Sequence, residues 1–166
     1  MKLPEPLEIG DILAIADGGE FAIALSDLVC QRAYTLGFDA LSSAERVAFC
    51  VDELEREVNN GGFHQYFVNA GANYAREAQA ALVTIGAPAM ADLVAQAMAH
   101  FPSPGPPVDQ EARCALLEAM GDEAFEAFAP LDGAFCAYPD DLTARMRAYV
   151  KAHRADFHPP LPQRST

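Results

Sequence analysis

A chain of 166 residues is long enough to bury a domain core without a disulfide or metal staple, since folding at this size removes roughly 70% of the unfolded surface from water. Its 24 acidic against 11 basic residues leave a net charge of −13, which repels nucleic-acid phosphates and anionic membrane surfaces and argues against direct DNA or RNA binding. Alanine occurs 32 times while valine, isoleucine and threonine total 18, a balance that favours helix because β-branched side chains lose rotamers there.

Residues 1–19 read as an irregular lead, with Pro4, Pro6 and a Gly18-Gly19 break. From Phe21 the period becomes helical: Phe21, Leu25, Leu28, Ala33 and Leu36 share a face, and Gly37 is a natural stop. Ser42 and Glu45 match a capping box that opens a second helix, with Val47, Val51, Leu54 and Val58 as its apolar stripe. The run Asn59-Asn60-Gly61-Gly62 interrupts, and Phe63 to Val68 reads as a short aromatic helix. Tyr74, Ala78, Ala81 and Ile85 define the next helix, closed by Gly86, and Pro88 suits the first turn of another, packed through Met90, Leu93, Val94, Ala97 and Phe101. Pro102 to Pro107 is a loop. A helix is expected from about Asp109 to Met120, then a break at Gly121, a short segment Glu123 to Phe128 before Pro130, and a loop from Leu131 to Tyr138 anchored by Phe135 and Tyr138. The last helix starts near Asp140 or Asp141 and packs through Leu142, Met146, Tyr149 and Val150. The expected architecture is all-α, a single domain of six to eight helices over residues 20–155, followed by a proline-rich, extended or disordered tail at 156–166.

Cys30, Cys50, Cys114 and Cys136 form no C-x-x-C pair and read as reduced core residues. No secretory leader and no apolar run of about 20 residues occurs, so a cytoplasmic location without a membrane partner is expected.

The stretch from Asn59 to Asn69 concentrates three asparagines, two glycines and three aromatics. One reading makes it a helical corner: Gly61 and Gly62 supply positive φ, the Asn59 and Asn60 amides cap helix ends, and Phe63, Tyr66 and Phe67 anchor the following helix. The other makes Asn59, Asn60, Gln65 and Asn69 a small polar pocket, with His64 as the nearest titratable group. His64 with Glu57 lacks a third metal ligand, and no nucleophile motif or phosphate loop is present, so neither metal nor cofactor nor catalytic residue is assigned. Glu53 and Glu57 stand four apart on a helix, and Glu111, Glu118, Asp122 and Glu126 would share a face if their helix continued through Gly121. These six are the candidate partner-binding carboxylates, a solvated helix face being the alternative. Arg147, Lys151 and Arg154 lie on one face of the last helix, either favoured by its dipole or docking on an acidic face of a second copy in a homodimer.

The segment Val51 to Asn69, followed by Asn73-Tyr74-Ala75, Ala80-Ala81-Leu82 and Ile85-Gly86-Ala87, resembles the bacterial DNA-mimic protein family, earlier catalogued as a domain of unknown function. Leu131-Asp132, Phe135 and Tyr138 to Leu142 are similar to its closing portion, so the resemblance spans about residues 40–155. It implies an all-helical, non-catalytic protein that presents carboxylates as DNA presents phosphates. Its partner would be a basic protein, such as a transcription factor or another DNA-binding protein. Two rivals are an immunity or adaptor protein that docks through an exposed Phe63 and Tyr66, and a small-molecule binder or enzyme in which Asn59, Asn60, His64 and Gln65 converge.

Overall fold

Ser42 and Glu45 close their capping box from both sides: Ser42 N donates to Glu45 Oε2 at 2.9 Å, and Glu45 N donates to Ser42 Oγ at 3.1 Å. The helix they open is α3 (Ser43–Val68), one of eight in a computed structural model that describes residues 7–162. The others are α1 (Ile9–Ala14), α2 (Gly18–Leu36), α4 (Ala75–Thr84), α5 (Pro88–Met98), α6 (Gln110–Met120), α7 (Asp122–Cys136) and α8 (Leu142–Ala152). Short 3-10 turns occupy Phe38–Ala40, Ala70–Tyr74 and Arg154–Asp156. No strand occurs among the described residues, and none of their helices is long and apolar enough to cross a membrane. The fold is all-α, as expected, and contacts divide it into two units, 1–49 with 143–166 and 50–142.

The first unit has α1, α2, the start of α3 and most of α8. Phe21, Leu25, Leu28, Val29 and Ala33 are the buried face of α2, and Gly37 ends it with a φ of 92°. One expectation fails in this unit. Within the lead read as irregular, residues 9–14 form α1, and Arg147 explains how so short a helix is held. Its guanidinium donates to the carbonyls of Ile15 (2.7 Å), Asp17 (3.4 Å) and Leu13 (3.5 Å), and lies 4.1 Å from the centre of the Phe21 ring. Arg147 therefore spends its donors inside the unit and not on a basic face for a second copy. From 158 to 162 the tail has no helix or strand, and it is docked on the unit. Phe157 is buried, His158 N and Nδ1 each lie 2.8 Å from a Glu45 carboxylate oxygen, and Arg32 donates to the Pro159 carbonyl. The prolines at 4 and 6 and the last four residues lie outside the described residues.

The second unit holds the rest of α3 and α4 to α7. The α4–α5 corner forms as its residues dictate. Gly86 takes a φ of 80°, Ala87 N returns to Leu82 O at 2.8 Å, and Pro88 occupies the first turn of α5. Asp140 Oδ2 accepts from Met90 N, satisfying one of the free amides at that helix start. Gly121, at a φ of 56°, separates α6 from α7. The expected short segment and loop after it are instead one helix from Asp122 to Cys136, with Pro130 inside. An interior proline costs about 3 kcal/mol. Against this, α7 buries Ala124, Phe128, Leu131 and Phe135 on one stripe, each large side chain contributing roughly 1.5–3 kcal/mol. Phe128 and Phe135 close on Phe63 at 6.4 and 5.6 Å, and Phe128 on Phe67 at 5.6 Å. Long-range packing overrides the local break.

Candidate functional site

The kink in α3 is built by two glycines. Gly61 (φ −156°, ψ 23°) leaves the helical region, and Gly62 takes φ 74° with ψ −176°, a conformation nearly closed to side chains. A Cβ on Gly62 would meet the Asp132 carboxylate, whose Cγ would lie 2.7 Å away. That close approach lets Asp132 Oδ1 accept from Phe63 N at 2.7 Å and cap the helical half that starts there. The cap comes from α7, not from the asparagines. Asn60 is exposed, and Asn59 Nδ2 donates to Tyr138 Oη at 2.6 Å.

Beyond the kink, the chain folds its polar side chains back. Gln65 Nε2 and Asn69 Nδ2 both donate to Glu57 Oε2 at 2.7 Å, while Arg56 donates to Glu57 Oε1 at 3.0 Å and to Glu53 Oε1 at 2.6 Å. Burial on its own raises the Glu57 pKa, but the donors from Gln65, Asn69 and Arg56 outweigh it and hold the carboxyl below its ordinary value. Glu53 and Glu57 are only 5% and 6% exposed. Their expected place on a partner-binding surface is corrected: the i, i+4 spacing puts both on one face, and that face turns inward onto the kink.

Arg113 is the residue that sequence reasoning passed over. It is wholly buried, and all its nitrogens find oxygen. Nε donates to Phe67 O at 2.6 Å, Nη1 to Pro107 O and Val108 O at 2.8 and 3.0 Å, and Nη2 to Asn69 O and Asn73 Oδ1 at 2.8 and 3.0 Å. Gln110 Nε2 and Cys114 Sγ donate to the intervening carbonyl of Val68. The C-terminal carbonyls of α3, which have no partner within their own helix, are thus closed by one turn of α6. A cation is favoured at that end of the helix dipole. Burial still pulls the guanidinium pKa down. The available signal was a lone arginine on the inward stripe Arg113, Cys114, Leu117.

Two further groups complete the region. Tyr138, in left-handed conformation (φ 48°), donates from Oη to Glu55 Oε1 at 2.8 Å while accepting from Asn59. Burial, with Glu55 adding to it, pushes its pKa up to about 12 despite the opposing Asn59 amide. His64 stacks on Phe125 with ring centres 3.9 Å apart and planes 18° from parallel; burial lowers its pKa, and Asp132 opposes this. The four polar groups of the supposed pocket therefore part company: Asn59 goes to Tyr138, Gln65 to Glu57, His64 to Phe125, and Asn60 to the exposed surface. Glu57 and His64 form no pair. Phe63, Tyr66 and Phe67 are fully buried, so the aromatic turn offers no docking surface of the kind an adaptor would use. A recess of about 420 Å³ lined by Arg76, Ala95, Met98, Phe101 and residues 103–106 includes none of the turn residues.

Glu111, Glu118, Asp122 and Glu126 are all exposed. They do not form one file, because Gly121 splits them into a pair on α6 and a pair on α7. Asp122 stands in the first turn of α7, where the dipole favours a carboxylate.

A family model described as DMP19-like protein matches residues 39–153, and the chain belongs to that family. Among curated proteins and among solved structures, none matches the chain.

Proposed function

We propose that the chain is a non-catalytic acidic protein that binds a basic, DNA-binding protein by presenting carboxylates in place of phosphates. The observation that carries this reading is where the charge falls. Residues 50–142 hold 15 acidic and 3 basic residues, a net of −12, while residues 1–49 and 143–166 together hold 9 and 8. Of the three cations, Arg113 is buried on carbonyls and Arg56 is paired with Glu53 and Glu57. The exposed Glu111, Glu118, Asp122 and Glu126 are left to face solvent, and they are the proposed partner surface. Along α7, Asp122 and Glu126 are separated by a rise of about 6 Å. Two phosphate steps on one DNA strand rise roughly 7 Å. Family membership supports the reading by its name.

Competition is the direct test. Increasing amounts of the protein should displace labelled operator duplex from a DNA-binding protein drawn from a panel. The capture should weaken steeply between about 50 and 200 mM salt. A variant carrying Glu111→Gln, Glu118→Gln, Asp122→Asn and Glu126→Gln should no longer compete. Capture that ignores salt, or survives in that variant, overturns the reading.

A further inference from the structure

Eight of the ten phenylalanines are buried and Phe38 is partly so, whereas Phe125 keeps 55% of its surface in water. It is not loose. One face of its ring lies flat on His64 at 3.9 Å, and its backbone is in the middle of α7. At helical spacing Asp122, three residues before it, shares its outward face, and Glu126, four residues after Asp122, borders that face; all three are exposed. An exposed, pre-positioned aromatic ring with carboxylates on either side suits one chemistry above others. A planar guanidinium stacks on an aromatic face and can pair with an adjacent carboxylate at the same time, whereas a lysine ammonium does only the second well.

We infer that the Phe125–His64 stack, flanked by Asp122 and Glu126, is a docking point for an arginine side chain of a basic protein partner. The inference rests on the acidic-surface reading and deepens it. Carboxylates alone attract any cation, and the stacked ring makes the surface discriminate arginine from lysine. Holding the ring against His64 before the partner arrives also lowers the ordering cost of contact.

The test uses two fluorescein-labelled peptides of equal length and charge, one alternating arginine with glycine and the other lysine with glycine. Anisotropy is read with the full chain at low salt. The arginine peptide should bind about two- to fivefold more tightly than the lysine peptide. Phe125→Ala should erase that preference while leaving the lysine peptide unchanged. Phe125→Leu keeps apolar surface without a π face and should erase it too, whereas Phe125→Tyr should retain it. Circular dichroism establishes that each variant is folded. Equal affinities for the two peptides, or a preference that survives in folded Phe125→Ala and Phe125→Leu, overturns the arginine site and leaves the acidic surface standing. If neither peptide binds, or binding is indifferent to neutralising Glu111, Glu118, Asp122 and Glu126, the acidic-surface reading itself fails, and the arginine site with it.

Discussion

Arg113 Nε donates to the main-chain carbonyl of Phe67 at 2.6 Å across 46 residues of sequence, which makes a buried side chain of α6 the end-cap of α3. Removing the side chain would take a donor from five acceptors, of which Asn69 O keeps Ala72 N, and leave a cavity. Arg113→Met should cost about 3–5 kcal/mol in urea unfolding, as several buried oxygens lose a charged donor at about 1–3 kcal/mol each, in part offset by the easier burial of an uncharged side chain. Arg113→Lys should recover only part of that, because an ammonium offers three donors from one point and the guanidinium five in a fixed plane. Equal stability of the lysine variant and the parent would show that the network does not depend on the guanidinium geometry.

Gly62→Ala forces a side chain into a conformation with φ 74° and drives its Cβ onto Asp132. The expected loss is about 2–3 kcal/mol, combining backbone strain with the lost cap on Phe63. With Asp132→Ala already in place, the same glycine substitution should cost less, since the carboxylate it would strike is gone. A double-mutant cycle measures this coupling, and strict additivity would refute the close approach.

Glu57 gives a pH signature whose sign follows from its lowered pKa. A carboxyl held below its ordinary value of 4.5 stabilises the fold above that pH, and the contribution fades as pH falls through the lower folded value. Glu57→Gln should therefore cost about 1.5–3 kcal/mol at neutral pH, with the gap to the parent closing in acid. Unfolding midpoints measured from neutral pH into the acid range test it, and a gap that stays constant would remove the ionised carboxylate from the account.

Tyr66 Oη is buried without a hydrogen-bond partner among the described residues, and burial is the main cause of its raised pKa. Tyr66→Phe should be neutral or raise stability by up to about 1 kcal/mol, because it removes an unmet polar group and keeps the ring. A loss of more than about 1 kcal/mol would mean that the hydroxyl is paired after all.

Features settled by neighbours within a turn were legible in the sequence. Ser42 with Glu45, Gly37, the Gly86–Pro88 corner and the aromatic anchors all formed as local spacing predicts. What was not legible depends on partners far along the chain. Pro130 reads as a helix stop until Phe63 and Phe67 arrive to bury Phe128 and Phe135. Spacing places Glu53 and Glu57 on one face, but whether water or Gln65 and Asn69 meets that face is decided beyond the kink. Asp132 and Arg113, the two residues that hold the kinked segment at its middle and its end, carry no local motif.

The inward turn of Glu57 separates two kinds of information in this chain. The residues that carry the family resemblance are largely consumed in building the scaffold: Gln65 and Asn69 address Glu57, Gly62 admits Asp132, and Asn69 and Asn73 receive Arg113. The carboxylates proposed as the partner surface sit on α6 and α7 and take no part in those contacts. On the proposed reading, ancestry and partner choice are thus written in different letters, and the partner surface can change without altering the turn.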